Sequence, residues 1–511
     1  MNHLTGGLMK LPPRTRGTVS ISDSVRLPRC LFGACLLLAL SAIASSAQTF
    51  TDLVNFDRNT DGAQPAFLSL AQGIDGNLYG TTSGGGTYKQ GTFFKVTPTG
   101  KLTILYSFCP QSNCPDGFAP QSTLAVDLVG NFYGVTPGGG AQNQGTIFRV
   151  TPKGKLTTLY SFCALINCAD GQIPTGGLVR GIDGNFYGTT KIGGPNKGFG
   201  TIFRITPRGK LTTLHTFTMF QGDGGYPTAA LIQVPDGVFY GTTMQGGTYG
   251  VGTVFKMTPR GMVTTLYSFC ALTNCDDGGY PFAGLVQAAD GSFYGTTVAG
   301  GVIGAGGPCN NYPPNGCGTV FKITAAGKVT TLYSFCALAN CADDGDPYGV
   351  LVQATDGKFY GTTSGGPYTT NYGTIFDITS GGALTTLHNF DFTGGAGPFG
   401  GFVQATSGIF YGTTYAGGTN GDGTIFSLSV GFHPFVETLP TSGKVGAPIL
   451  ILGNNLKGST AVSFHGTAAK FTVVSNSEIK TTVPVGATTG TVEVKTLRKT
   501  LKSDVAFHVT R

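Results

Sequence analysis

The chain has 511 residues, 40% of them hydrophobic and only 11% charged, so it can hold more than one folded domain and is too apolar to be disordered throughout. Its 83 glycines follow no three-residue period, which excludes a collagen-like rod. The formal net charge of +7 is spread thinly and gives no electrostatic footprint for nucleic acid.

Residues 1 to 47 read as a secretory signal peptide. Arg26 and Arg29 precede the apolar run LFGACLLLALSAIA at 31 to 44, and Ser45 and Ala47 stand where signal peptidase wants small side chains, with cleavage before Gln48. That run is 14 residues long where a spanning helix takes about 20, and no later segment is apolar enough to cross a bilayer. Removing it takes away Lys10, Arg14, Arg16, Arg26, Arg29 and Asp23, leaving 27 basic and 24 acidic residues and a net charge of +3.

Export sets the reading of the cysteines. Cys30 and Cys35 leave with the signal, and the other ten form local pairs: Cys109 with Cys114, Cys163 with Cys168, Cys270 with Cys275, Cys309 with Cys317, and Cys336 with Cys341. Disulfides that stiffen small loops are expected. Zinc is disfavoured, because two thiolates per repeat fall short of four ligands and no histidine recurs beside them.

From residue 48 to 431 the sequence repeats. GNLYGTT (76 to 82), GNFYGVT (130 to 136), GNFYGTT (184 to 190), GVFYGTT (237 to 243), GSFYGTT (291 to 297), GKFYGTT (357 to 363) and GIFYGTT (408 to 414) place their tyrosines 54, 54, 53, 54, 66 and 51 residues apart. Each period holds four strand-like runs, as in TGGLVRG, NFYGTT, GTIFRIT and KLTTLHTF between residues 175 and 217. Asp-Gly, the pair a type I′ hairpin demands, joins the first two runs, and Thr-Pro-x-Gly joins the last two. The remaining connections are longer: a double-glycine loop after YGTT and the cysteine loop after LYSF.

Four antiparallel strands seven times over predict a seven-bladed β-propeller. The last repeat ends at its third strand, GTIFSLSVG (423 to 431), while TFTDLVNF (49 to 56) at the mature N-terminus reads as the missing fourth, so the ring is expected to close there. Strand parity puts the cysteine and double-glycine loops on one face, where recognition is expected, and the tight turns on the other.

Residues 432 to 511 abandon the repeat for short alternating runs that suggest a β-sandwich. PTSGKVGAPILILGNNL, AVSFHGTAAKFTVVSNSEIKTTVP and GATTGTVEVKT resemble the IPT/TIG domain of immunoglobulin-like fold, and DGNFYGTT with GTIFRITPRG resembles the tandem GloVer-type repeats of exported bacterial proteins. The resemblance implies a secreted, cell-surface or periplasmic bacterial protein and brings no catalytic residues.

Candidate chemistry is sparse. Asp61, Asp116, Asp170, Asp223, Asp277 and Asp343, with Gly394 in the seventh place, precede the loop prolines. As a ring they would suit Ca2+ or a polyhydroxyl ligand; as single residues they cap their own turns, the reading preferred here. Asp346 is a further carboxylate for glycoside chemistry. His215 and His388 stand where other repeats have tyrosine and read as packing. Loop tyrosines Tyr88, Tyr226, Tyr249, Tyr280, Tyr312, Tyr348, Tyr368 and Tyr372 are candidate contacts for sugars or peptides, and the insertion at 301 to 318 is the largest departure from the repeat. With no off-pattern pair of titratable groups visible, the sequence reads as a non-enzymatic binding or surface-interaction protein for a glycan or protein ligand, without a cofactor. The alternative is an extracellular carbohydrate-active hydrolase or lyase with its site at the channel mouth.

Overall fold

The computed structural model describes residues 48–65, 69–195, 198–304, 314–365 and 372–510. The signal segment, Cys309, Tyr312 and Tyr368 lie outside them.

Among the described residues, 49 to 429 form seven four-stranded antiparallel sheets, six with their strands in chain order and the seventh completed by the N-terminal strand. The first sheet is typical: Ala71–Gln72, Leu78–Thr82, Thr92–Val96 and Leu102–Ser107. Its second strand is buried along its whole length, so it carries apolar or small residues on both faces. Gly80 is required there because a Cβ would sit 2.6 Å from the Phe94 ring of the neighbouring strand, a clash that Gly134 avoids in the same way against Phe148.

The core lies between sheets. Tyr79 packs on Phe132 of the next sheet with ring centroids 4.2 Å apart, and Tyr133 on Phe186, Tyr187 on Phe239, Tyr240 on Phe293, Tyr294 on Phe359 and Tyr360 on Phe410 repeat the contact. Tyr411 of the last sheet shares a buried cluster with Leu70, Leu78 and Phe94 of the first. The N-terminal strand Thr49–Asn55 pairs antiparallel with Thr424–Ser429, from Thr49 opposite Ser429 to Asn55 opposite Thr424.

The Asp-Gly turns differ from the expected two-residue type. Gly73 donates to Asn77 O and Gly76 donates to Gly73 O, closing a three-residue loop in which only Gly76 has a positive φ, 79°. The aspartate stays in an ordinary conformation because Asp75 accepts bonds from the Asn77 N–H and the Tyr79 hydroxyl.

Disulfides join Cys109 to Cys114, Cys163 to Cys168, Cys270 to Cys275 and Cys336 to Cys341, and Cys317 is also disulfide-bonded. A carboxylate braces each of these four loops. Asp170 accepts from Tyr160 Oη at 2.9 Å and from the Ala164 and Leu165 N–H groups, and Asp277 and Asp343 repeat the set. Asp116, Asp170, Asp277 and Asp343 are accordingly buried as turn braces, and no group of three or more His, Cys, Asp or Glu among the described residues could hold a metal. With the brace intact, the C163S/C168S double variant should lose only about 2 kcal/mol or less in urea unfolding, because the closed loop is short; a larger loss would show that the disulfide holds the sheet itself.

The C-terminal residues form two further four-stranded sheets. One orders Glu437–Leu439, Pro448–Leu452, Glu478–Thr482 and Phe471–Val473, the other Thr467–Ala468, Ala461–Phe464, Val492–Lys495 and Thr500–Lys502. Ile449, Ile451, Phe464, Ile479, Val492 and Phe507 fill the space between them. This sandwich rests on the tight-turn face of the repeats: Ser477 Oγ donates to Ile74 O at 2.8 Å, Asn454 Nδ2 to Thr406 Oγ1 at 2.9 Å, and the Phe435 N–H to Thr406 O. No helix among the described residues is long and apolar enough to cross a membrane.

Candidate functional site

With the sandwich on the turn face, the loop face is the one left for a ligand. Within a repeat the cysteine loop and the double-glycine loop are bridged directly, as Phe118 to Gly138, Gln172 to Ile192 and Gly279 to Ala299, so both loops share that face. Each loop that leads into the first strand of a repeat, with or without cysteines, ends in a residue whose N–H donates to the double-glycine loop of the preceding repeat. Ala119 binds Gln90 O, Ile173 Gln144 O, Tyr226 Phe199 O, Tyr280 Val251 O, Asp346 Cys317 O and Gly397 Tyr372 O, and Gln64 in the first repeat binds Asp422 O in the last. Six of the seven donors are not glycine yet hold a φ between 52° and 58°. The bond and the proline that follows fix a conformation L-residues otherwise avoid.

One residue beyond that proline, the chain turns into a shared cavity of about 180 Å3 to which all seven repeats contribute. Gln121, Thr175 and Thr228 make a polar arc, with Thr175 Oγ1 buried and without a hydrogen-bond partner. Phe282, Tyr348 and Phe399 make an aromatic arc, joined edge to face at 5.1 Å and 5.4 Å between centroids. Such a half-aromatic, half-polar rim fits a ring with apolar faces and hydroxyl edges.

An off-pattern acid pair stands next to the aromatic arc. Asp344 occupies the position of Gly117, Gly171 and Gly278, at φ 60°, and accepts a bond from Thr363 Oγ1 at 3.0 Å. Asp346 occupies the position of Tyr226 and Tyr280 and is 9% exposed. Burial, and then the charge of Asp344, push its carboxyl up to about 7. The Tyr348 hydroxyl is raised as well, by burial and then by Asp346.

The sequence-selected tyrosines fall into distinct places. Tyr348 lines the cavity, Tyr226 and Tyr280 are the donors just before their prolines, and Tyr88, Tyr249 and Tyr372 are exposed in the outlying loops. His388 stacks on Phe50 at 3.7 Å, and burial lowers its pKa. Sequence reasoning missed Phe282, Phe399, Gln121, Thr175 and Thr228, and the signal that finds them is their shared place immediately after the loop proline.

The Gloeobacter/Verrucomicrobia repeat description matches residues 110–309 and 307–448, and the IPT/TIG domain matches 435–509. No curated protein sequence matches the chain. Among solved structures it is similar to a fungal alcohol oxidase in complex with copper, at 13% identity, 91% of this chain, 99% of that one and a TM-score of 0.49. It is also similar to a gluconolactonase from Xanthomonas campestris, at 13% identity, 57% and 82% coverage and a TM-score of 0.34. A luciferin-regenerating enzyme follows at 10% identity, 76% and 98% coverage and a TM-score of 0.37. The expectation of a non-enzymatic protein is corrected by the chain's own residues. That expectation rested on the lack of an off-pattern titratable pair, and Asp344 with Asp346 is one: the sequence could not reveal that burial and mutual charge raise Asp346. The two repeat matches together span more than half of the sequence, and the chain belongs to the Gloeobacter/Verrucomicrobia repeat family, with an IPT/TIG domain following the repeats.

Proposed function

We propose that this is an exported carbohydrate-active hydrolase that takes a small polyhydroxyl substrate at the mouth of a closed, seven-bladed propeller. In this reading residues 1–47 are the cleaved signal, 48–431 the propeller closed by its N-terminal strand, and 432–511 a sandwich that holds the turn face and leaves the mouth open. The carrying observation is the mouth itself, with the aromatic arc of Phe282, Tyr348 and Phe399 facing the polar arc of Gln121, Thr175 and Thr228, beside the raised acid Asp346. The sugar ring stacks on the aromatic arc and its hydroxyls bond the polar one. Asp346 gives its proton to the departing oxygen as water adds to the carbon it leaves, and burial, followed by the neighbouring Asp344 charge, raises the carboxyl to about 7 so that about half of it is protonated at neutral pH.

Calorimetric titration and turnover assays of residues 48–511 with mono- and disaccharides and sugar lactones test the reading. The wild type should bind at least one of them, and Y348A should weaken binding about tenfold, the size of one lost aromatic contact. Absence of any binding or turnover, or full affinity in Y348A, would refute it.

A further inference from the structure

The fourth loop of the ring departs from its neighbours in three ways. It has no cysteines, it is two residues shorter between Thr216 and Pro227 than its counterpart between Ser268 and Pro281, and its brace is a histidine where the loops on either side use Tyr160 and Tyr267. Shortening opens a groove of about 690 Å3 at the outer rim, between the strands Leu211–Thr216 and Val263–Ser268. The carboxylate of Asp223 is locked in its wall by the Thr218 and Gly224 N–H groups, both at 2.9 Å. The His215 ring lies edge-on to Phe217 with centroids 4.8 Å apart, and its Nε2 is 3.5 Å from Asp223 Oδ1, buried and without a hydrogen-bond partner. Phe220 stands at the lip, 72% exposed.

We propose that this groove is a second, non-catalytic site that binds a neutral oligosaccharide lying across Phe220. A large exposed ring beside a wall of threonine and serine hydroxyls presents an apolar face with polar groups at its edge, as a sugar ring does in reverse. Other ligand classes fit less well. Asp223 is the sole carboxylate of the lining and repels anions, no third metal ligand is at hand among the described residues, and the hydroxyl-rich wall gives a lipid chain little to bury against. The groove is open along its length, so a polymer can run through it where the central cavity of about 180 Å3 admits only a small ring. This proposal rests on its own residues and stands whether or not the mouth is catalytic.

The test is calorimetric titration of residues 48–511 with cello-, xylo-, malto- and chitohexaose. Two variants spare the fold: F220A removes an exposed ring, and H215Y restores the tyrosine–aspartate brace used by Tyr160 with Asp170 and Tyr267 with Asp277. At least one hexasaccharide is expected to bind the wild type, about tenfold more weakly to F220A and to H215Y, and undiminished to Y348A, which separates this site from the mouth. Binding that is unchanged in both groove variants, or no hexasaccharide bound by the wild type, would overturn the proposal.

Discussion

Deleting residues 48–56 is expected to abolish cooperative folding of the repeat region. The lost strand supplies the whole ladder against Thr424–Ser429 and buries Val54 and Phe56, at 8% and 0% exposure, in the cluster shared by the first and last sheets. Phe50 also stacks on His388 and Phe426 across that seam. Each large buried side chain removed costs about 2 to 5 kcal/mol, so the sum reaches the whole net stability of roughly 5 to 15 kcal/mol typical of a domain. The exposed edge left behind is also a template for aggregation. Urea unfolding followed by circular dichroism checks this. The milder V54A/F56A variant should unfold in a single transition, weakened by about 5 kcal/mol or more, and adding the peptide 48–56 to the truncated chain should restore structure. A truncated chain that unfolds like the intact one would show that the repeat region does not depend on its first strand.

The second large effect belongs to Asp346. Burial and then Asp344 raise its carboxyl to about 7, whereas an unfolded aspartate titrates at 3.8. The folded chain therefore takes up a proton between those values. The stabilisation from the neutral group is complete below about pH 4, falls as the pH rises, and is gone above about pH 7. Roughly three units at about 1.4 kcal/mol each put the loss near 4 kcal/mol, as an order of magnitude. D346N does not titrate, so its stability should match the wild type near pH 4 and exceed it by a few kcal/mol at pH 8. Wild-type turnover should decline above about pH 7 as the acid ionises, and D346N should lose turnover while keeping sugar affinity. Parallel stability curves for the two proteins between pH 4 and 8 would remove Asp346 from both roles.

Much of the architecture could be read from the chain because the repeat displays the same physics seven times. FYGTT needs its glycine under the phenylalanine of the next strand, and Asp-Gly needs its left-handed glycine, so both recur and set the period. Local cysteine spacing fixed the disulfides, because five residues of chain can bring two sulfurs together without help from the fold.

The mouth was hidden for the opposite reason. Positions after the loop prolines vary as Gln121, Thr175, Thr228, Phe282, Tyr348 and Phe399, and a varying position leaves no periodic trace. The tyrosines chosen by residue type alone mixed one cavity-lining side chain with exposed ones. The repeat itself puts Asp344 where other copies have glycine; only the fold shows the burial that, together with the Asp344 charge, raises Asp346.

What the amino-acid order decided by itself was local: strands, turns, disulfides and the period, each governed by contacts within a few residues or between adjacent strands. What the tertiary structure alone decided was convergence, since the mouth and the rim groove arise where residues about fifty apart in the chain meet, and the burial that raises Asp346 acts only once the chain has folded.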